Sequence, residues 1–193
     1  MKVLFVNCCI RGERSRTLRL CKTYLKALIE RRPDCEVTEL YLPDQKLFPF
    51  DEQSLKLRDT LIARGEWDHP MFRFARQLAD ADRVVIGAPC WHLSFPAWLN
   101  IYLEQCCAAG VVIQFTEAGS VGLCQADKVV YITTAGDEIT EDLGAQYLEA
   151  VFGTFGIRDF ERYAVDGLDL DDADVEGALM KAEAAMELAV RNE

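Results

Sequence analysis

Five short strand-like segments, each followed by a stretch with helical periodicity, constrain this chain more than any other feature. Lys2-Val3-Leu4-Phe5-Val6-Asn7 opens the series, and residues 35–41, 83–87, 128–133 and 158–165 repeat it. Between them, apolar residues recur at helical spacing. A first helix is predicted over about 16–32, where Leu18, Leu20, Tyr24, Leu25, Leu28 and Ile29 share a face and Pro33 forbids continuation. The region 52–80 is interrupted near Gly65 and Pro70, which predicts two short helices. Further helices are expected from Pro96 to Ala109-Gly110, over 141–155 with a stop at Gly156, and over 172–191. Strand and helix in alternation specify an α/β fold, a five-stranded parallel sheet covered by helices on both faces. Half of the 193 residues are apolar, enough for one domain over residues 1–193 to enclose a full core.

Composition removes several classes of function. The longest apolar runs (Val3–Val6, Val84–Pro89, Val129–Ile132) are far short of the roughly 20 residues that span a bilayer, so no membrane segment is expected. The N-terminus starts directly on a strand pattern without a signal-peptide apolar region, which predicts a cytoplasmic protein. Eight cysteines occur as Cys8-Cys9 and Cys106-Cys107 pairs plus four singles, with no CxxC or metal-type spacing. In a reducing compartment such thiols behave as small hydrophobes, with Cys8, Cys9 and Cys90 the ones placed near candidate chemistry. A formal charge of −11 disfavours nucleic acid and anionic membrane as partners. Locally the balance reverses: residues 11–26 hold six cations (Arg11, Arg14, Arg16, Arg19, Lys22, Lys26) against Glu13 alone.

Three loops at the carboxyl ends of predicted strands carry the candidate chemistry. After the first strand comes Asn7-Cys8-Cys9-Ile10-Arg11-Gly12-Glu13-Arg14-Ser15-Arg16-Thr17, where free N–H groups at a helix N-terminus, hydroxyls and arginines suit a phosphate. An alternative is that Ser15 is only an N-cap and the arginines a solvated face. GxGxxG and Walker A patterns are absent, which argues against a dinucleotide or a nucleoside triphosphate. After the third strand, Pro89-Cys90-Trp91-His92-Leu93 asks for a flat, partly polar ligand, although Trp91 could instead be core. After the fourth, the small residues of Thr133-Thr134-Ala135-Gly136-Asp137 let backbone N–H groups approach a ring edge. Parallel sheets of this kind gather those three ends around one crevice, which suggests a mononucleotide. Residues 111–126 read as a long loop, with Phe115 either an aromatic wall or packed down against the body. The acidic run from Asp166 to Glu176 does not match a calcium loop, and no metal is expected.

At these positions the chain resembles the FMN-dependent NADH-azoreductases and NAD(P)H-quinone reductases of flavodoxin-like fold. The resemblance runs through Lys2–Val6, Gly87-Ala88-Pro89, Tyr102-Leu103-Glu104, Ala109-Gly110-Val111, Phe115-Thr116-Glu117, Gly119, Gly122-Leu123 and Ile132–Gly136. It implies a flavodoxin-like three-layer α/β/α sandwich with strand order 2-1-3-4-5 and a homodimer. FMN is the implied cofactor, with NADH or NADPH as hydride donor and a quinone, azo or nitroaromatic small molecule as acceptor. It implies an FMN phosphate held by Ser15-Arg16-Thr17 with Cys9 and Arg11 beside it. Pro89, Cys90, Trp91, His92 and Leu93 would lie along the isoalloxazine, and Thr133, Thr134, Ala135, Gly136 and Asp137 at its pyrimidine edge. Catalysis needs no essential side-chain acid or base, but His92 could protonate a reduced acceptor. The chain departs from the family at Cys8 and Cys9, where serines are common, at Trp91-His92 in place of a Tyr-Asn pair, and at Asp137 in place of a second Gly. An electron carrier and a cysteine-based redox sensor are the alternatives in other classes.

Overall fold

The computed structural model describes residues 1–193, and the alternating pattern is realised as strands β1 (Lys2–Asn7), β2 (Glu36–Tyr41), β3 (Arg83–Gly87), β6 (Lys128–Thr134) and β7 (Asp159–Val165). They form one parallel sheet in the order β2-β1-β3-β6-β7. This is the expected 2-1-3-4-5 arrangement, with a small hairpin inserted between the third and fourth sheet strands. Helices α1 (Arg16–Arg31) and α6 (Val175–Asn192) cover one face, and α2 (Glu52–Arg64), α3 (Arg73–Ala79), α4 (Ala97–Cys106) and α5 (Leu143–Thr154) the other. None of these helices is long and apolar enough to cross a membrane.

The two faces follow from side-chain alternation on the strands. Leu4, Val6, Val84, Ile86, Val129 and Tyr131 enter the core shared with α3, α4 and α5, whereas Val3, Phe5, Val85, Val130 and Ile132 enter the one shared with α1 and α6. The central strands are thus buried on both sides, as a parallel sheet requires. Leu18, Leu20, Tyr24, Leu25 and Leu28 of α1 are buried, but Ile29, at the edge of that stripe, is 44% exposed. The break in 52–80 falls where expected: Gly65 caps α2 in the left-handed region (φ 67°), and Pro70 begins a single 3₁₀ turn ahead of α3.

Residues 111–126 are not the open loop that the sequence suggested. Two four-residue strands, β4 (Ile113–Thr116) and β5 (Gly119–Gly122), pair antiparallel, and Thr116 Oγ1 donates to the Gly119 carbonyl at 2.8 Å. The hairpin crosses the end of α5 at Gly122, where a Cβ would come within 2.1 Å of the Gly156 nitrogen. Phe115 is 67% exposed, so it does not pin the segment down.

At the amino ends of the strands, opposite the loops described next, charges are clasped together. Arg83, 3% exposed, is 2.5 Å from Glu193 and 3.2 Å from Asp127. Lys128 completes the group, 2.9 Å from Glu193 and 3.1 Å from Glu161.

Candidate functional site

The loops after β1, β3 and β6 enclose a cavity of about 540 Å³ at the carboxyl edge of the sheet. Crevices at that edge, where chain connections diverge to opposite faces, are the usual ligand position of open α/β sheets.

The first wall begins where β1 ends. Asn7 Oδ1 accepts the Cys9 N–H at 2.9 Å, Gly12 turns the chain with φ 56°, and a 3₁₀ turn over Gly12–Arg14 delivers Ser15 to the N-cap of α1. Ser15 Oγ accepts the Leu18 N–H at 3.2 Å, so the N-cap role considered for it is real. That leaves the first-turn N–H groups of Arg16 and Thr17 without main-chain partners and directed into the positive end of the helix. Arg11 and Arg14 are exposed at the cavity and unpaired, while Arg16 Nη1 is 2.7 Å from Asp169 Oδ1.

The second wall is a tight reversal. Cys90 N donates to the Thr134 carbonyl at 2.9 Å, and Trp91 and Ser94 exchange main-chain hydrogen bonds at 2.9 and 3.0 Å. Between them His92 and Leu93 both lie in the left-handed region, φ 53° and 64°, the signature of a type I′ turn built without glycine. Non-glycine residues held there cost about 1–3 kcal/mol each and cluster at functional sites. The turn presents Trp91, 36% exposed, and Leu93, 52% exposed, as apolar surface beside the cavity. Burial and the charge of Asp142 raise the Cys90 thiol above its ordinary pKa, so it stays protonated at neutral pH.

The third wall is stitched to the chain after β7. Ala135 N donates to the Val165 carbonyl, Leu168 N to Ala135, Gly167 N to Asp137 and Asp169 N to Gly136, all within 3.2 Å. Gly136 lies close under the Asp169 side chain, where a Cβ would come within 2.4 Å of Oδ2 and push that carboxylate aside. The first and third walls meet where Thr17 Oγ1 and Thr134 Oγ1 share a hydrogen bond.

Of the residues singled out from sequence, Arg11, Ser15, Arg16, Thr17, Pro89, Cys90, Trp91, His92, Leu93, Thr134, Ala135, Gly136 and Asp137 all line this one cavity. Cys9 and Thr133 do not line it. Both are fully buried: Cys9 Sγ turns down onto the Gly87 carbonyl at 3.5 Å, and strand alternation aims Thr133 at the opposite face from Thr134. The neighbouring Cys21 thiol holds Cys9 below its ordinary pKa, while burial drives Cys21 well above. Burial pushes Cys8 up to about 12. Phe115 is not among the lining residues. Arg14, read from the sequence with Arg16 as counter-charge for a phosphate, lines it too, and the lining also includes Ile10, Glu138, Ile139, Glu141 and Asp169. Asp169 stood in the sequence only as one of many acidic residues, and no local pattern announces its pairing with a residue 153 positions away.

A family model described as flavodoxin-like fold matches residues 1–189. The chain is 35% identical to FMN-dependent NADH:quinone oxidoreductase 2 of Clostridium acetobutylicum over 92% of each chain. It is 32% identical to the FMN-dependent NADH:quinone oxidoreductase of Clostridium perfringens, over 98% of this chain and 96% of that one. Among solved structures, an azoreductase from Bacillus anthracis superposes with a TM-score of 0.88 at 22% identity, covering all of both chains. An FMN-dependent NADH-azoreductase from the same species, solved in complex with FMN, gives 0.85 at 21% identity over 99% of this chain and 98% of that one. With its strand order, its carboxyl-edge cavity and a match over nearly its full length, this chain belongs to the flavodoxin-like-fold family.

Proposed function

We propose that this chain is an FMN-dependent NADH:quinone oxidoreductase that also reduces azo and nitroaromatic acceptors. One observation carries the proposal: a cationic helix N-terminus and an exposed Trp91-His92-Leu93 turn face the same cavity, which has the volume of a small-ligand site. The donor set fits a flavin mononucleotide. Arg11 and Arg14 are unpaired, the Arg16 and Thr17 N–H groups of the first turn of α1 are free, and the Ser15 and Thr17 hydroxyls stand beside them, which together match a phosphate dianion. Trp91, Leu93 and Ile10 offer apolar surface for the ring system.

When bound, FMN supplies the hydride chemistry between NADH and the acceptor. The residues of this chain bind, orient and shield. Arg11, Arg14, Ser15, Arg16 and Thr17 would hold the phosphate. Pro89, Cys90, Trp91, His92 and Leu93 would lie along the ring, and Thr134, Ala135, Gly136 and Asp137 would hold its pyrimidine edge. Cys9 and Thr133 support these loops from beneath. His92, exposed at the cavity, is the group placed to give a proton to a reduced acceptor. NADH is the donor in the names of the relatives and the one proposed here. Residues 1–193 act as one domain, and the eight unpaired thiols support a reducing, cytoplasmic setting. A homodimer would cover the exposed apolar residues Phe115 and Val121 of the hairpin, and sedimentation would test it.

The experiment is an anaerobic titration of the FMN-reconstituted protein with NADH, following loss of the oxidised-flavin absorption band. Bleaching, with recovery of the band on adding a quinone, is expected. Failure to retain FMN, or retention without bleaching, overturns the proposal.

A further inference from the structure

The cavity carries its two signs of charge on separate walls. Arg11, Arg14 and Arg16 come from the loop after β1 and the start of α1, while Asp137, Glu138 and Glu141 come from the segment after β6. The remaining carboxylate, Asp169, is neutralised by Arg16. No cation pairs with the side chains of Asp137, Glu138 or Glu141, and all three are exposed. Arg162, the basic residue of adjacent β7, is already committed to Asp142 at 2.7 Å. Apolar surface from Trp91 and Leu93 lines the same cavity.

Resting on the flavin reading above, we infer that the cavity selects its electron acceptors by charge: neutral and cationic aromatic acceptors are favoured over sulfonated or carboxylated ones. With the arginine wall engaged by a phosphate, the potential met by an incoming acceptor is set by the three unpaired carboxylates. A cleft between low-dielectric walls focuses that field. The formal charge of −11 on the whole chain acts in the same direction at longer range. Acceptors that share one aromatic body and differ only in a charged substituent meet the same apolar surface, so charge is what discriminates. Because the carboxylates are exposed, the discrimination is screened by salt.

The test uses the FMN-loaded protein with 1,4-naphthoquinone and its 2-sulfonate, comparing kcat/KM at low and high ionic strength in the natural protein and in a Glu138→Gln/Glu141→Gln variant. The ratio of sulfonate to parent is the quantity read, so differences in intrinsic reducibility and overall activity cancel. That ratio is expected to rise about fivefold in the variant and with added salt. In parallel, calorimetry with the redox-inert pair naphthalene-2-sulfonate and 2-naphthyltrimethylammonium should show tighter binding of the cation, a preference that shrinks in the variant. A ratio unchanged by both substitution and salt, with NADH bleaching intact, overturns the charge selection alone. Loss of bleaching in the natural protein overturns the flavin reading and the selection together.

Discussion

Thr17 Oγ1 and Thr134 Oγ1 lie 2.7 Å apart in a buried hydrogen bond that ties the first turn of α1 to the end of β6, 117 residues away. It joins the two walls proposed for the phosphate and the ring edge, beside the Arg16–Asp169 ion pair that links them at the surface. Thr17→Val leaves the Thr134 hydroxyl buried without its partner and should cost about 1–3 kcal/mol of stability. The Thr17→Val/Thr134→Val pair should recover part of that loss, a positive coupling that a double-mutant cycle by chemical denaturation measures.

Arg11 and Arg14 have no protein partner, so their charge is free for an anion. Replacing both by Gln should weaken FMN binding by about tenfold or more while leaving unfolding of the flavin-free protein within about 0.5 kcal/mol. The loss should be largest at low ionic strength. Equilibrium dialysis with FMN against a salt series checks both statements.

Leu93 sits at φ 64° and is half exposed, so it loses little by truncation and gains by relaxing the turn. Leu93→Gly should stabilise the fold by about 0.5–1 kcal/mol, the strain relieved less the added freedom of the unfolded chain. Leu93→Val places a β-branched residue in the same region and should destabilise by about 1–2 kcal/mol. Thermal unfolding of the two variants should therefore shift in opposite directions.

Burial pushes the Glu193 carboxyl up, but hydrogen bonds from Arg83 and Lys128 outweigh it and hold the group below the ordinary carboxylate range. A depressed pKa contributes stability that is fully present above the unfolded value, about 4.3, and is lost as pH falls through the folded value. Glu193→Gln should cost about 1–3 kcal/mol at pH 7. Denaturation curves of the two proteins should keep that separation from pH 8 to 6 and converge progressively below about pH 4.3. A separation that widens on acidification would show that the ion cluster does not act this way.

Much of this architecture was legible in the sequence because periodicity reports burial. The strand cores Val3–Val6 and Val84–Ile86, buried on both faces, read as continuous apolar runs, and Ser15, Gly65 and Pro70 mark helix ends by their own chemistry. The three wall loops were legible for the same reason, since the ends of parallel strands converge. What stayed hidden depends on contacts across the chain. The β4–β5 hairpin has strands of four residues, two of them glycines, and is fixed by the approach of Gly122 to Gly156, which no local pattern encodes. Asp169 joins the cavity wall through Arg16 and Gly136, and Cys9 turns inward to the carbonyl of Gly87, 78 residues away.

Trp91 has a practical consequence beyond shaping the cavity. The other two tryptophans sit elsewhere, Trp67 against Gly110 and Phe72, and Trp98 on the core beneath α4. Of the three indoles, only that of Trp91 looks into the crevice. Ultraviolet excitation therefore gives the protein its own optical gauge. A chromophore that settles in the crevice can touch the indole of Trp91, a contact that the other two indoles, outside the lining, do not make. Trp91→Phe would remove this signal while leaving an aromatic face in the cavity wall, so occupancy can be followed in the native chain without any attached label.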